Sequence, residues 1–149
     1  MNLIMILNTT YFNPNEKEIV QELVGNCYSF FKRISLGGIG SGRMIVEEVS
    51  AGLSPYINSN SDLTYANVEL RPGGIIVRIN KGLKNYSWII PFYQLSIFKS
   101  GRISLHGQGH FISFRTNNMT KGNMPFFKKI LEEKLKYESS HRLLDPNRG

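Results

Sequence analysis

From Leu63 onward the chain alternates apolar and polar residues, with Ala66, Val68 and Leu70 on one face and Tyr65, Asn67, Glu69 and Arg71 on the other. A period of two describes a half-buried strand, because successive side chains of extended backbone point to opposite faces. Arg71-Pro72-Gly73-Gly74 then supplies a proline that fixes φ and glycines free to take positive φ, so the chain reverses. Ile75, Val77 and Ile79 resume the inward set while Arg78 points out, which predicts a hairpin. Asn80 to Asn85 turns the chain again before Tyr86 to Phe92, where Pro91, lacking an N–H, marks an edge, a bulge or a strand end. Leu95 to Phe98 reads as a further strand or a short turn, followed by the basic turn Lys99-Ser100-Gly101-Arg102. Ile103 and Leu105 alternate next, Gly107-Gln108-Gly109 reverses the chain, and Ile112 and Phe114 alternate after it. Short strands punctuated this closely exclude a Rossmann arrangement and predict an α+β domain built on a bent antiparallel sheet or partly closed β-barrel over residues 64 to 115.

Two helices are expected to flank that sheet. Asn15 can cap the first, with Glu16 and Glu18 at its positive end, and Ile19, Leu23, Cys27, Phe30 and Ile34 recur at three- and four-residue spacing through residues 16 to 34. Cys27 lies inside this stripe and is read as a packing residue. Asn123 caps the second helix, Pro125 sits in its first turn, and Phe127, Ile130 and Leu131 mark its buried side through residues 124 to 138, with Phe126 and Phe127 plugging one end of the sheet. Met1 to Leu7 reads as a short strand, and residues 139 to 149 as a loose tail. Between the first helix and the sheet, Gly37-Gly38-Ile39-Gly40-Ser41-Gly42-Arg43 is a turning connector. Its spacing matches no Walker or dinucleotide loop. Met44 to Val49 suits a strand or a helix, Ser50 to Asp62 a surface excursion, and residues 35 to 62 either add strands to the barrel or form a separate lobe.

A chain of 149 residues is most economically one domain. Its charge is unevenly placed. All 11 acidic residues fall at or before Glu69 or at or after Glu132, whereas residues 70 to 131 carry ten lysines and arginines, and the net charge is +7. A basic β-rich body favours anionic partners. The single cysteine rules out an intrachain disulfide and a thiolate metal cluster, pointing to a reducing, cytoplasmic setting. The apolar N-terminal run lacks a basic flank and a cleavage pattern, and its seven residues are too few to span a bilayer as a helix.

No catalytic, cofactor or metal site is expected. His106 and His110 flank a turn that can bring them together, but zinc needs at least one more ligand and no carboxylate lies nearby in sequence. There is no Gly-x-Ser-x-Gly elbow and no identifiable carboxylate pair for acid–base work. A non-enzymatic binding or scaffold module acting through protein contacts or self-association is the primary reading, with Trp88, Phe92 and Tyr93 around Pro91 as its interface and that strand edge open to a second strand. The alternative is docking on anionic lipid, at the inner membrane surface, through Arg78, Lys81, Lys84, Lys99 and Arg102. A third, weaker reading is single-stranded nucleic acid stacked on Tyr65, Tyr86, Trp88 and Tyr93.

Val68 to Val77, then Trp88-Ile-Ile-Pro91-Phe92-Tyr-Gln-Leu95-Ser-Ile97, then Phe111-Ile-Ser-Phe114 and the final amphipathic helix resemble the bacterial pleckstrin-homology-like domains over residues 64 to 137. The resemblance implies a strand hairpin, a strand ending in Ile-Pro-aromatic-x-x-Leu, further strands, and a C-terminal helix capping a bent antiparallel barrel. It implies no single activity, since such folds serve lipid binding, peptide binding and assembly. In phosphoinositide-binding members of the wider superfamily, basic residues in and beside the first strand–strand loop hold the head group. Arg71 to Gly74 and Lys81 to Asn85 are the two loops here that could take that place.

Overall fold

The computed structural model describes residues 4–11, 13–58 and 63–144, with side chains through residue 141. The expectations for Met1–Leu3, Ser59–Asp62 and Asp145–Gly149 lie outside the described residues. Eight strands form one antiparallel sheet: β1 (Ile6–Asn8), β2 (Met44–Val49), β3 (Tyr65–Arg71), β4 (Gly74–Lys81), β5 (Lys84–Pro91), β6 (Ser96–Phe98), β7 (Ser104–Gly107) and β8 (His110–Phe114). Their spatial order is β1-β5-β4-β3-β2-β8-β7-β6. The helices are α1 (Pro14–Val24), α2 (Phe30–Leu36), α3 (Asn118–Gly122) and α4 (Met124–Leu144). The α+β class and the antiparallel sheet are as the alternation requires, but the sheet is open and is no barrel. Its outer strands β1 and β6 do not meet, and each is only three residues long.

β2 joins the two halves of the sheet. Met44 and Ile45 pair with β3, while Val46, Glu48 and Val49 pair with β8 across a register shift between Val46 and Glu48. Residues 44–49 are therefore a strand that belongs to the sheet, and no separate lobe forms from them. The register Val68↔Val77↔Trp88 carries one apolar face across β3, β4 and β5. Leu105, Ile112 and Phe114 continue that face from the other half, and Phe126, Phe127 and Ile130 of α4 complete the core. Near the far end of α4, Tyr137 packs its ring against Phe92 at 5.4 Å between centroids. α4 runs on to Leu144, beyond the end its apolar spacing suggests. A smaller cluster on the opposite face of the sheet sets Val24 of α1, with Val20 and Leu23, against Ile76 and Ile89.

The single helix expected over residues 16 to 34 is two. Asn13, not Asn15, is the cap, accepting from Asn15 N–H, and Pro14 takes the first turn, where a missing N–H costs nothing. The break falls at Gly25, whose φ of 87° an L side chain rarely adopts. The β3–β4 turn clasps it there. Gly73 N–H donates to Val24 O at 2.8 Å, and Arg71 Nη1 donates to Gly25 O at 3.0 Å. Cys27 accordingly lies in the exposed link between α1 and α2 rather than in a packed stripe. Its sulfur accepts from Arg33 Nη2 at 3.0 Å.

Gln108 ties the two halves of the molecule together. It sits in the β7–β8 turn at φ 56°, the single described residue other than glycine with positive φ, and its side chain is buried. Oε1 accepts from Met5 N–H at 2.7 Å and from Trp88 Nε1–H at 3.0 Å. Nε2 donates to Ile89 O at 2.9 Å and to Gln94 Oε1 at 2.8 Å. All four hydrogen-bonding capacities of the carboxamide are thus filled. Gln108→Leu, which strands a buried indole N–H and two backbone groups, should lower stability by about 3 kcal/mol. Gln108→Gly, which relieves the positive φ and loses the same bonds, should also destabilise. Urea unfolding of both variants checks this, and a stabilised glycine variant would show that backbone strain outweighs the hydrogen bonds.

Candidate functional site

Of the three aromatics expected at an interface, Trp88 and Phe92 are fully buried. The alternation of β5 turns Trp88 inward, where its N–H meets Gln108, and the 3-10 turn Phe92–Gln94 folds Phe92 under α4. Tyr93 alone is exposed, at 72%. The β5 edge is not open either, because β1 pairs along it from Ile6↔Trp88 to Asn8↔Tyr86. The nucleic-acid platform disperses for the same reason. Trp88 is in the core, Tyr86 packs edge-on against Tyr56 at 4.9 Å, and Arg43 covers the Tyr65 ring at 4.1 Å.

The five basic positions do not converge on one another. Arg78 donates from Nη2 to Glu69 Oε1 and from Nη1 to Ser87 Oγ, both at 3.1 Å. Lys81 and Lys84 face each other across the β4–β5 turn, with Lys81 Nζ donating to Pro55 O at 2.8 Å. Leu83, 96% exposed, caps that turn. Lys99 and Arg102 lie in the β6–β7 turn, which strand alternation puts at the other end of the ladder from the β4–β5 turn, and Arg102 pairs with Glu48 at 3.4 Å. The connection from β2 to β3, residues 50 to 64, contains no lysine or arginine. The two histidines are held apart in their partners: His106 Nε2 lies 3.0 Å from Ser104 Oγ and His110 Nδ1 lies 3.2 Å from Ser50 Oγ. Burial depresses the His106 pKa. Among the described residues no three His, Cys, Asp or Glu side chains gather as metal ligands, and no helix is long and apolar enough to cross a membrane.

The surface that composition did not reveal is α2. None of its seven residues is buried. Ser29 caps its start by accepting from Lys32 N–H at 3.3 Å, and Gly37 ends it in the left-handed region, donating to the Arg33 and Ile34 carbonyls. Tyr28 before the helix and Leu36 at its end pack against the main core. Between these anchors Phe30, Phe31 and Ile34 are 69%, 82% and 63% exposed. At 3.6 residues per turn those three side chains share one face and Leu36 takes the opposite one. Arg33 falls at one flank, its guanidinium donating to Tyr28 O and Cys27 Sγ, both at 3.0 Å, while exposed Lys32 lies toward the side of Leu36. Burial, reinforced by the charge of Glu133, pushes the Tyr28 hydroxyl up to about 12, consistent with its place under the helix. Glu133 itself is paired with Lys136 at 3.4 Å. No acidic residue occurs between Glu22 and Glu47, so the helix surface is apolar and cationic. Sequence periodicity missed it because Phe30 and Ile34 continue the spacing of α1, and only the break at Gly25 turns them outward.

Glu69 orients two of the cations on the sheet. Its carboxylate accepts from Arg71 Nε at 2.5 Å and from Arg78 Nη2 at 3.1 Å. Burial opposes its ionisation, but the Arg71 hydrogen bond and the charges of Arg78 and Arg71 outweigh it, so the carboxyl titrates below its ordinary value. No family model matches the chain, and no curated protein or solved structure is found to be similar to it.

Because folding favours the ionised form of Glu69, its contribution is complete above the ordinary carboxylate pKa and is lost as pH falls through the depressed one. Glu69→Gln should therefore lower stability at neutral pH and flatten the acid limb of the stability profile, as followed by circular dichroism. Parallel profiles for wild type and variant would mean the cluster contributes nothing net.

Proposed function

We propose that this protein is a non-enzymatic docking module that attaches to anionic lipid surfaces through α2. The observation that carries this is the outward apolar face Phe30, Phe31 and Ile34, on a helix whose ends are fastened to the body by Tyr28 and Leu36. A helix held in this way presents its rings rather than letting them collapse, and an exposed apolar face on a short helix that also carries two cations suits the boundary between head groups and acyl chains. The net charge of +7 draws the whole molecule toward an anionic surface. A second copy is a poorer occupant. Two-fold pairing through α2 sets two helices of net positive charge side by side with no carboxylate on either to neutralise them.

The pleckstrin-homology-like resemblance remains part of this reading. It is supported by the β3–β4 hairpin, by Ile90-Pro91-Phe92-x-x-Leu95 ending β5 in a 3-10 turn, by the three strands that follow, and by α4 against the core. The attachment proposed here does not use the head-group loop of that superfamily. If β2 stands as its first strand, the loop in question is residues 50 to 64, which has no basic residue. The β4–β5 turn offers a single apolar side chain, Leu83, and its Lys81 ammonium is already bonded to Pro55 O.

Sedimentation with neutral and phosphatidylserine-containing vesicles tests the proposal. Wild type should partition onto anionic vesicles at low salt and release as salt rises, the Debye length shrinking from about 10 Å at 0.1 M to 3 Å at 1 M. Phe30→Ser/Phe31→Ser should lose about a hundredfold or more, since each of the two buried rings contributes on the order of 1.5–3 kcal/mol. Lys32→Glu/Arg33→Glu should lose a similar amount, and Lys81→Glu/Lys84→Glu much less. Loss confined to the Lys81/Lys84 variant would move the attachment to the β4–β5 turn. Absence of vesicle binding, with a concentration-dependent dimer that Phe30→Ser/Phe31→Ser abolishes, would replace lipid by a second copy.

A further inference from the structure

The face of β3, β4 and β5 that lies away from the main core is only half covered. Val20, Leu23 and Val24 of α1 pack on Ile76 and Ile89, and Glu16, Lys17 and Gln21 of α1 reach a cleft beside Arg78 and Ser87, but on the side of Asn67, Asn80 and Asn85 the two rows nearer the β4–β5 turn border a cavity that no helical residue lines. The register makes those rows explicit. Tyr65 pairs with Asn80 and Asn80 with Asn85, while Asn67 pairs with Arg78 and Arg78 with Ser87. Since side chains alternate along each strand, all of these project from the same face.

A cavity of about 180 Å³ opens there, walled by Arg43, Tyr65, Asn67, Arg78, Asn80 and Asn85, and no carboxylate lines it. The Arg43 guanidinium sits over the Tyr65 ring, 4.1 Å from its centroid, and has no ion-pair partner among the described residues. Arg78 is fixed from one side by Glu69 and Ser87 through its two Nη atoms, leaving Nε without a protein acceptor among the described residues. Asn67, Asn80 and Asn85 are exposed, and their carboxamides make no hydrogen bond within the described protein. Three exposed carboxamides that each donate and accept, next to two guanidinium ions, match one kind of ligand. An anionic group satisfies the guanidinium ions, and hydroxyls, which also donate and accept, satisfy the amides. The volume is below the 300–1,000 Å³ of pockets for drug-sized ligands, so one ring is the appropriate size.

We infer that this cavity binds a small polyhydroxylated anion, a sugar phosphate or sugar carboxylate, with its charge on Arg43 and Arg78 and its hydroxyls on Asn67, Asn80 and Asn85. The site is separate from α2 and does not depend on membrane attachment. Arg78 was legible in the sequence as an anion-binding residue. Its companions come from the connector before β2 and from the facing positions of β3 and β5, instead of from the basic turns.

Calorimetric titration of the full chain at low ionic strength, with glucose 6-phosphate, glucuronate, glucose and inorganic phosphate, tests the inference. One or both anionic sugars should bind about tenfold more tightly than glucose or phosphate, as expected when one charge-assisted hydrogen bond is added to the rest. Binding of only one of them supports the site and identifies its anionic group. Arg43→Gln, at an exposed position outside the core, should weaken the sugar anion about tenfold without changing the thermal melt. Asn67→Ala/Asn80→Ala should bring its affinity down to that of phosphate. Equal affinity for phosphate and glucose 6-phosphate, unaffected by the asparagine variant, would reduce the cavity to a cationic spot and overturn the assignment. So would the absence of heat with all four.

Discussion

The carboxamide of Gln108 is the interaction on which the two halves of the sheet depend. β2 links them through the backbone, with two residues paired on one side and three on the other, and both halves bury their apolar faces in the common core under α4. Gln108 adds a polar tie between them by bonding simultaneously to Met5 just before β1, to β5 and to the 3-10 turn that follows β5. A buried, fully satisfied amide is worth retaining because losing any one partner leaves a desolvated donor or acceptor. The positive φ at Gln108 is the local cost of delivering the side chain into the core, and Gly107 beside it allows the close approach. A Cβ there would come within 2.7 Å of Ile90.

A second constraint decides which surface the protein shows. The β3–β4 turn holds the end of α1 by bonding to Val24 O and Gly25 O, and this stops a helix whose apolar spacing would otherwise continue. α2 then starts in a new direction under its own cap, with Tyr28 and Leu36 as its attachments. Had the helix run unbroken, Phe30 and Ile34 would have stayed in line with Ile19 and Leu23. The exposed rings are therefore a product of the hairpin, and the proposed membrane attachment follows from backbone hydrogen bonds formed on another part of the chain.

The charge pattern is interpreted by pairing more than by count. Among the basic side chains of the acid-free stretch, Arg71 and Arg78 share Glu69, Arg102 meets Glu48 and Arg115 meets Glu47. The arginines of that stretch are thus partly neutralised by carboxylates from outside it, which folding brings alongside. Lys32, Arg33 and Arg43, from a region less conspicuous in sequence, have no such partner among the described residues; the first two belong to α2 and the third lines the sheet cavity. Of the cations on α2 and at the cavity, Lys32, Arg33 and Arg43 are ones to which folding supplied no acid among the described residues, and Arg78 is one to which it did.

The alternation of residues 65–71, 75–79 and 103–114, the turn residues between them and the apolar spacing in α1 and α4 were enough to establish an α+β chain with an antiparallel sheet, although the cap expected at Asn15 is at Asn13 and the Asn123 side chain bonds to Gly42 and Met119 instead of to α4. These are local signals, carried by covalent geometry and by neighbours a few positions away. Arg78 was recognised as outward-facing on the same ground. The burial of Trp88 and Phe92 was not legible, because an aromatic near a proline suits a core and an interface equally until the partner residues, Gln108 and Tyr137, are placed against it. The open sheet, the exposed Cys27 and α2, and the grouping of Arg43 with Asn67, Asn80 and Asn85 were likewise decided by tertiary structure. Each depends on pairing between segments tens of residues apart, and no periodicity along the chain encodes which strand edge, hairpin turn or carboxylate will arrive at a given side chain.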